Sequence, residues 1–86
     1  MIEIIDEPVS VELIFNSATR SVFPHLIRWR GRLYTIKTVG LHHRIKEGTT
    51  LLHVFSVSDG NLFFRLVLDT QNLHWKLTEV ADATVN

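Results

Sequence analysis

None of the 86 residues is a cysteine, which excludes a disulfide framework, a thiolate metal site and a cysteine nucleophile. No apolar run approaches the ~20 residues that a membrane-spanning helix needs. The opening "IEIIDEPVS" carries acids where a secretory leader requires a basic start and a longer apolar core. The expectation from these absences is a cytoplasmic protein. Glycine is scarce, and each of the four is explained by a turn or bulge, leaving none for a phosphate-cradling loop. Nucleophile elbows and carboxylate pairs at useful spacing are missing as well. The sequence therefore predicts no catalytic residue, no cofactor, no metal site and no enzymatic activity. Nine basic and nine acidic residues give zero net charge, so the protein as a whole exerts no long-range pull on a polyanion.

What is present is alternation. The length suits one domain, residues 1–86, with an ordered part of about 8–80 and a frayed tail "ADATVN". "VSVELIF" (9–15) places Val9, Val11, Leu13 and Phe15 on one side of a strand. Further strands are predicted at 22–30, 32–41, 51–58, 61–69 and 72–80, and no segment has the period of a long helix. Five or six antiparallel strands in up-and-down order give an all-β fold, a curled meander resembling a small open barrel. Pro24 cannot donate to a ladder and is expected at a strand start or sheet edge. A phase change after Thr38 predicts a β-bulge at 38–40, with Gly40 assisting.

Turn chemistry sets the register. Asp59-Gly60 reads as a two-residue type I′ turn, placing Val57 opposite Leu62, Phe55 opposite Phe64 and His53 opposite Leu66. A loop at 69–72 then sets Leu66 by Trp75 and Phe64 by Leu77. Arg30-Gly31 allows another tight turn, with Trp29 opposite Arg32, Ile27 opposite Tyr34 and His25 opposite Ile36. The expected core is Val11, Leu13, Ile27, Trp29, Tyr34, Ile36, Phe55, Val57, Leu62, Phe64, Leu66, Leu68, Trp75 and Leu77. Leu52, Val54, Phe63 and Val67 fall together on the opposite face. They form an expected homodimer interface unless the sheet closes over them.

Charge is unevenly distributed. Between His25 and Lys46 every charged side chain is basic, while residues 1–12 hold four acids and no base. Arg28, Arg30, Arg32, Lys37, Arg44 and Lys46 form a candidate nucleic-acid-binding set, with Trp29 or Tyr34 as stacking platforms. The predicted register turns those rings toward the core and leaves the arginines as an outer face. Among the five histidines, His25 and His53 are expected on the core face, where they suggest a metal or small-molecule site as a further alternative. His42 and His43 are neighbours in a strand and point to opposite faces. The leading expectation is a non-enzymatic binding or accessory module, with nucleic-acid binding next.

The order Pro24, "WRGR" (29–32), Tyr34, Ile36 and Val39, followed by "FFRLVLD" and "WKL", resembles a small uncharacterised bacterial β-domain family. Members carry a WRGR-x-Y motif, and some occur beside or fused to Y-family translesion DNA polymerases. The resemblance spans roughly residues 23–78. It departs at His43-Arg44, where the family pattern has Trp-Arg, so a role for that aromatic does not transfer. By association it implies a nucleic-acid or DNA-polymerase-associated partner.

Overall fold

The computed structural model describes residues 1–82. It is all-β and antiparallel, with eight strands: β1 (Ile2–Pro8), β2 (Ser10–Asn16), β3 (Ser21–Trp29), β4 (Arg32–Thr35), β5 (Thr38–Glu47), β6 (Thr50–Ser58), β7 (Leu62–Asp69) and β8 (His74–Asp82). They form a five-stranded sheet in the order β1-β8-β7-β6-β5 and a three-stranded sheet in the order β2-β3-β4. The expected single curled sheet is thus two sheets, and no barrel closes. Residues β5 to β8 do run up and down as a meander. The first strand lies before the segment expected to be ordered, and β8 runs two residues into the expected tail, whose residues 83–86 lie outside the described residues.

Topology explains how the layers meet. β1 and β5 are opposite edges of the larger sheet, roughly 19 Å apart at ~4.8 Å per strand. The chain between them, β2 to β4, therefore crosses the sheet from edge to edge, and it does so over one face. Both transfers are abrupt. Val9 N–H donates to the Trp75 carbonyl (3.3 Å) as the chain leaves β1. On return, Ile36 N–H donates to His25 in the smaller sheet (2.8 Å) and Lys37 N–H donates to Ser58 in the larger (2.8 Å). That switch is why the predicted strand 32–41 is two strands.

The Arg30-Gly31 turn has the expected register: Trp29 lies opposite Arg32 and Ile27 opposite Tyr34. Both turn residues have positive φ, 51° and 75°, as a type I′ turn demands. The bulge at Gly40 is also present, between Val39 and Leu41. The β6–β7 hairpin differs. Asp59 is not in the positive-φ region, whereas Gly60 is (φ 100°). The Asp59 carboxylate instead accepts from the N–H groups of Asn61 and Leu62, 2.8 Å each, which moves the turn one residue on. Phe55 therefore faces Leu66, and Val57 faces Phe64. Leu66 likewise faces Leu77, and Leu68 faces Trp75. A two-residue shift preserves parity, so every inward residue stays inward.

The core is the layer between the sheets. Ile27, Phe55, Val57, Phe64, Leu66 and Leu77 form its buried cluster, with Ile5, Val9, Val11, Trp29, Tyr34, Ile36, Leu62, Trp75 and Val80 packed around it. Two expectations fail at one bulge. Leu13 is exposed because the β2–β3 register shifts between Glu12 and Leu13. Pro24 lies not at an edge but in β3, the central strand, opposite Leu13 at that same bulge. Its β4 side lies beyond the paired segment Leu26–Trp29, so its missing N–H costs no ladder bond. Among the described residues, Ile27 is the only member of the buried cluster that the smaller sheet supplies. Ile27→Ala is expected to lower unfolding free energy by about 2–5 kcal/mol in urea titrations; a loss below 1 kcal/mol would show that the sheets are joined elsewhere.

Candidate ligand-binding face

The arginine–tryptophan segment is part of the fold's own joinery. Glu7 stands opposite Leu77 in β1 and so faces the smaller sheet. Its carboxylate accepts from Trp29 Nε1 (3.0 Å), Arg30 Nε (3.3 Å) and Arg30 Nη2 (2.6 Å). The Arg30 guanidinium lies 4.6 Å from the Trp29 ring centroid, a cation–π contact that orients the fork. One carboxylate thus ties the β3–β4 turn to the edge of the larger sheet. The six basic residues do not form one array. Arg28, Arg30 and Arg32 belong to the smaller sheet and its turn, Lys37 to the crossing, and Arg44 and Lys46 to β5.

The histidines assort differently from expectation. His25 lies in β3, and His53 pairs not with it but with His42, Nε2 to Nδ1 at 2.8 Å. His42 also stacks on Phe55, centroids 4.0 Å apart and planes 14° from parallel. Among the described residues no group of three His, Cys, Asp or Glu side chains could hold a metal ion. Burial pushes the His42 imidazole below its ordinary 6.5, and the neighbouring His53, Arg44 and His43 push the same way. His43 faces the other side, opposite Val54, with Nδ1 buried and lacking a hydrogen-bond partner.

That other side is the face of the larger sheet that β2 to β4 do not cross. It contains a hollow of about 530 Å³. The strand registers build it in rows: Val54–Val67–Lys76–Pro8, then Ile45–Leu52–Asp69–His74. Ile45, Leu52, Val54 and Val67 give it an apolar floor, and Val54 is fully buried. Charged groups on the rim largely satisfy one another. Lys76 pairs with Asp6 at 3.4 Å and Arg65 with Glu79 at 3.3 Å, while Asp69 accepts from the Gln71 N–H at 2.8 Å. Among the described residues, the Glu47 and His74 side chains at this rim have neither ion-pair nor hydrogen-bond partner. The four residues expected as a dimer interface share this face but divide: Leu52, Val54 and Val67 line the hollow, and Phe63 stands toward the opposite end of β7. Periodicity found the face; the hollow needed β1 and the far half of β5, which the sequence reading lacked.

Two acid-sensitive arms of stability follow from the polar contacts. The hydrogen bond from Arg30, with a second from Trp29, holds the Glu7 carboxyl below its ordinary 4.5. Its contribution is therefore present above 4.5 and lost as pH falls below it. His42 binds a proton less readily folded than unfolded, so stability falls as pH drops through 6.5 and is fully present above it. In urea midpoints measured across pH, Glu7→Gln is expected to flatten the lower arm alone and His42→Gln the upper arm alone. A wild-type profile level from roughly pH 5 to 7 would remove the histidine assignment. No family model, curated protein or solved structure matches this chain, so its function is read from the geometry above.

Proposed function

We propose that the chain is a non-enzymatic binding module whose ligand seat is the hollow on the open face of the five-stranded sheet. The observation that carries this reading is the hollow itself, about 530 Å³ with a floor of Ile45, Leu52, Val54 and Val67. Sites for small molecules have volumes of about 300–1,000 Å³, are mainly apolar and carry a few polar groups that fix orientation. Rim charges that are already paired favour an uncharged or weakly charged body. Glu47 and His74 supply the polar contacts in the hollow's lining. The ligand class is thus a small amphipathic molecule with an apolar body and one or two hydrogen-bonding groups. Arg30 has less to offer a phosphate backbone, because Glu7 holds it.

A fragment library screened by amide chemical-shift changes tests this directly. Bound fragments are expected to shift Ile45, Leu52, Val67 and Lys76 together, and Val67→Phe is expected to weaken them at least tenfold by filling the floor, about 1.4 kcal/mol. An absence of fragment binding at these amides would end the proposal. Shifts confined to Arg28, Arg32 and Arg44 on adding a single-stranded oligonucleotide would replace it with nucleic-acid binding.

A further inference from the structure

The hollow occupies only part of the open face; the remainder carries exposed apolar side chains. The registers place Leu41, Ser56, Arg65, Glu79 and Ile4 in one row across all five strands. Ser58, Phe63, Ala81 and Ile2 form the next row. Ile4 is 74% exposed, Ile2 64%, Leu41 55% and Phe63 48%. Single exposed apolar residues need no explanation, but four on contiguous rows of one sheet face do. The Arg65–Glu79 ion pair lies in the middle of them, with both side chains partly exposed.

We infer that this half of the face is covered by a second copy of the same chain, packed back to back about a two-fold axis near Arg65 and Glu79. Charge supports that occupant. A two-fold contact must be complementary to itself, and an adjacent arginine and glutamate meet that condition, each facing its opposite on the second copy. Pairing by sheet edges is less favourable. β1 is interrupted at Asp6 (φ 57°) and ends at Pro8, and β5 is bulged at Gly40, and such features discourage strand addition. The inference stands on the exposed rows and does not depend on the hollow being a ligand seat.

Sedimentation velocity at roughly 100 µM is expected to give twice the chain mass, with dissociation on dilution. Phe63→Glu and Ile4→Glu alter exposed side chains and are each expected to leave the far-ultraviolet circular dichroism unchanged while raising the dissociation constant at least about 100-fold. Arg65→Glu and Glu79→Arg should each be monomeric alone, by like-charge repulsion across the axis, and should form a mixed dimer when combined. Val67→Phe, which fills the hollow, should leave the mass at two chains. A wild-type protein of one-chain mass at this concentration would overturn the inference. So would a dimer indifferent to Phe63→Glu and Ile4→Glu, which would place the contact on a sheet edge or elsewhere.

Discussion

The structure depends on one topological constraint: the chain must travel from β1 to β5, opposite edges of a single sheet, within the residues of three short strands. The direct route lies across one face, and the strands that make the crossing become the lid of the core. Everything apolar and inward on β5 to β8 is thereby given a partner layer, with Ile27 as the buried contact from the crossing segment. The same constraint leaves the reverse face uncrossed by β2 to β4. A sheet has two sides, and three strands are enough for only one of them.

Electrostatics reinforces that arrangement at its weakest point. The smaller sheet buries few side chains, so its far turn needs another attachment. Glu7 supplies one by accepting three hydrogen bonds from Trp29 and Arg30 across the layer boundary. Acidic residues near the start of the chain and basic ones in its middle are therefore partly explained as an internal match. At this position the segregated charges meet each other across the layer boundary.

Much of this was legible in residue order because parity survives small errors. The turn at Arg30-Gly31 was readable in full, since the register follows once both residues adopt positive φ. Asp59-Gly60 misled by one residue because the aspartate side chain caps the loop instead of entering the left-handed region. Even so, Phe55, Val57, Phe64, Leu66 and Leu77 kept their faces. Two elements were not readable. β1 mixes isoleucines with acids and changes phase at Asp6, so it shows no clean alternation. The strand change at Ile36–Lys37 has no glycine or proline to announce it, because the pieces on either side remain extended and only their hydrogen-bonding partners change. The candidate site lay mostly beyond reach for the same reason: the face was visible in two strands, at Leu52, Val54, Phe63 and Val67, but its depth comes from β1 and the distal half of β5.

That unmarked strand change has a mechanical consequence. Two successive amide groups, Ile36 and Lys37, are anchored to different layers, with only the φ and ψ of Ile36 free to turn between them. At this edge the layers cannot slide past one another without rupturing one of these bonds first.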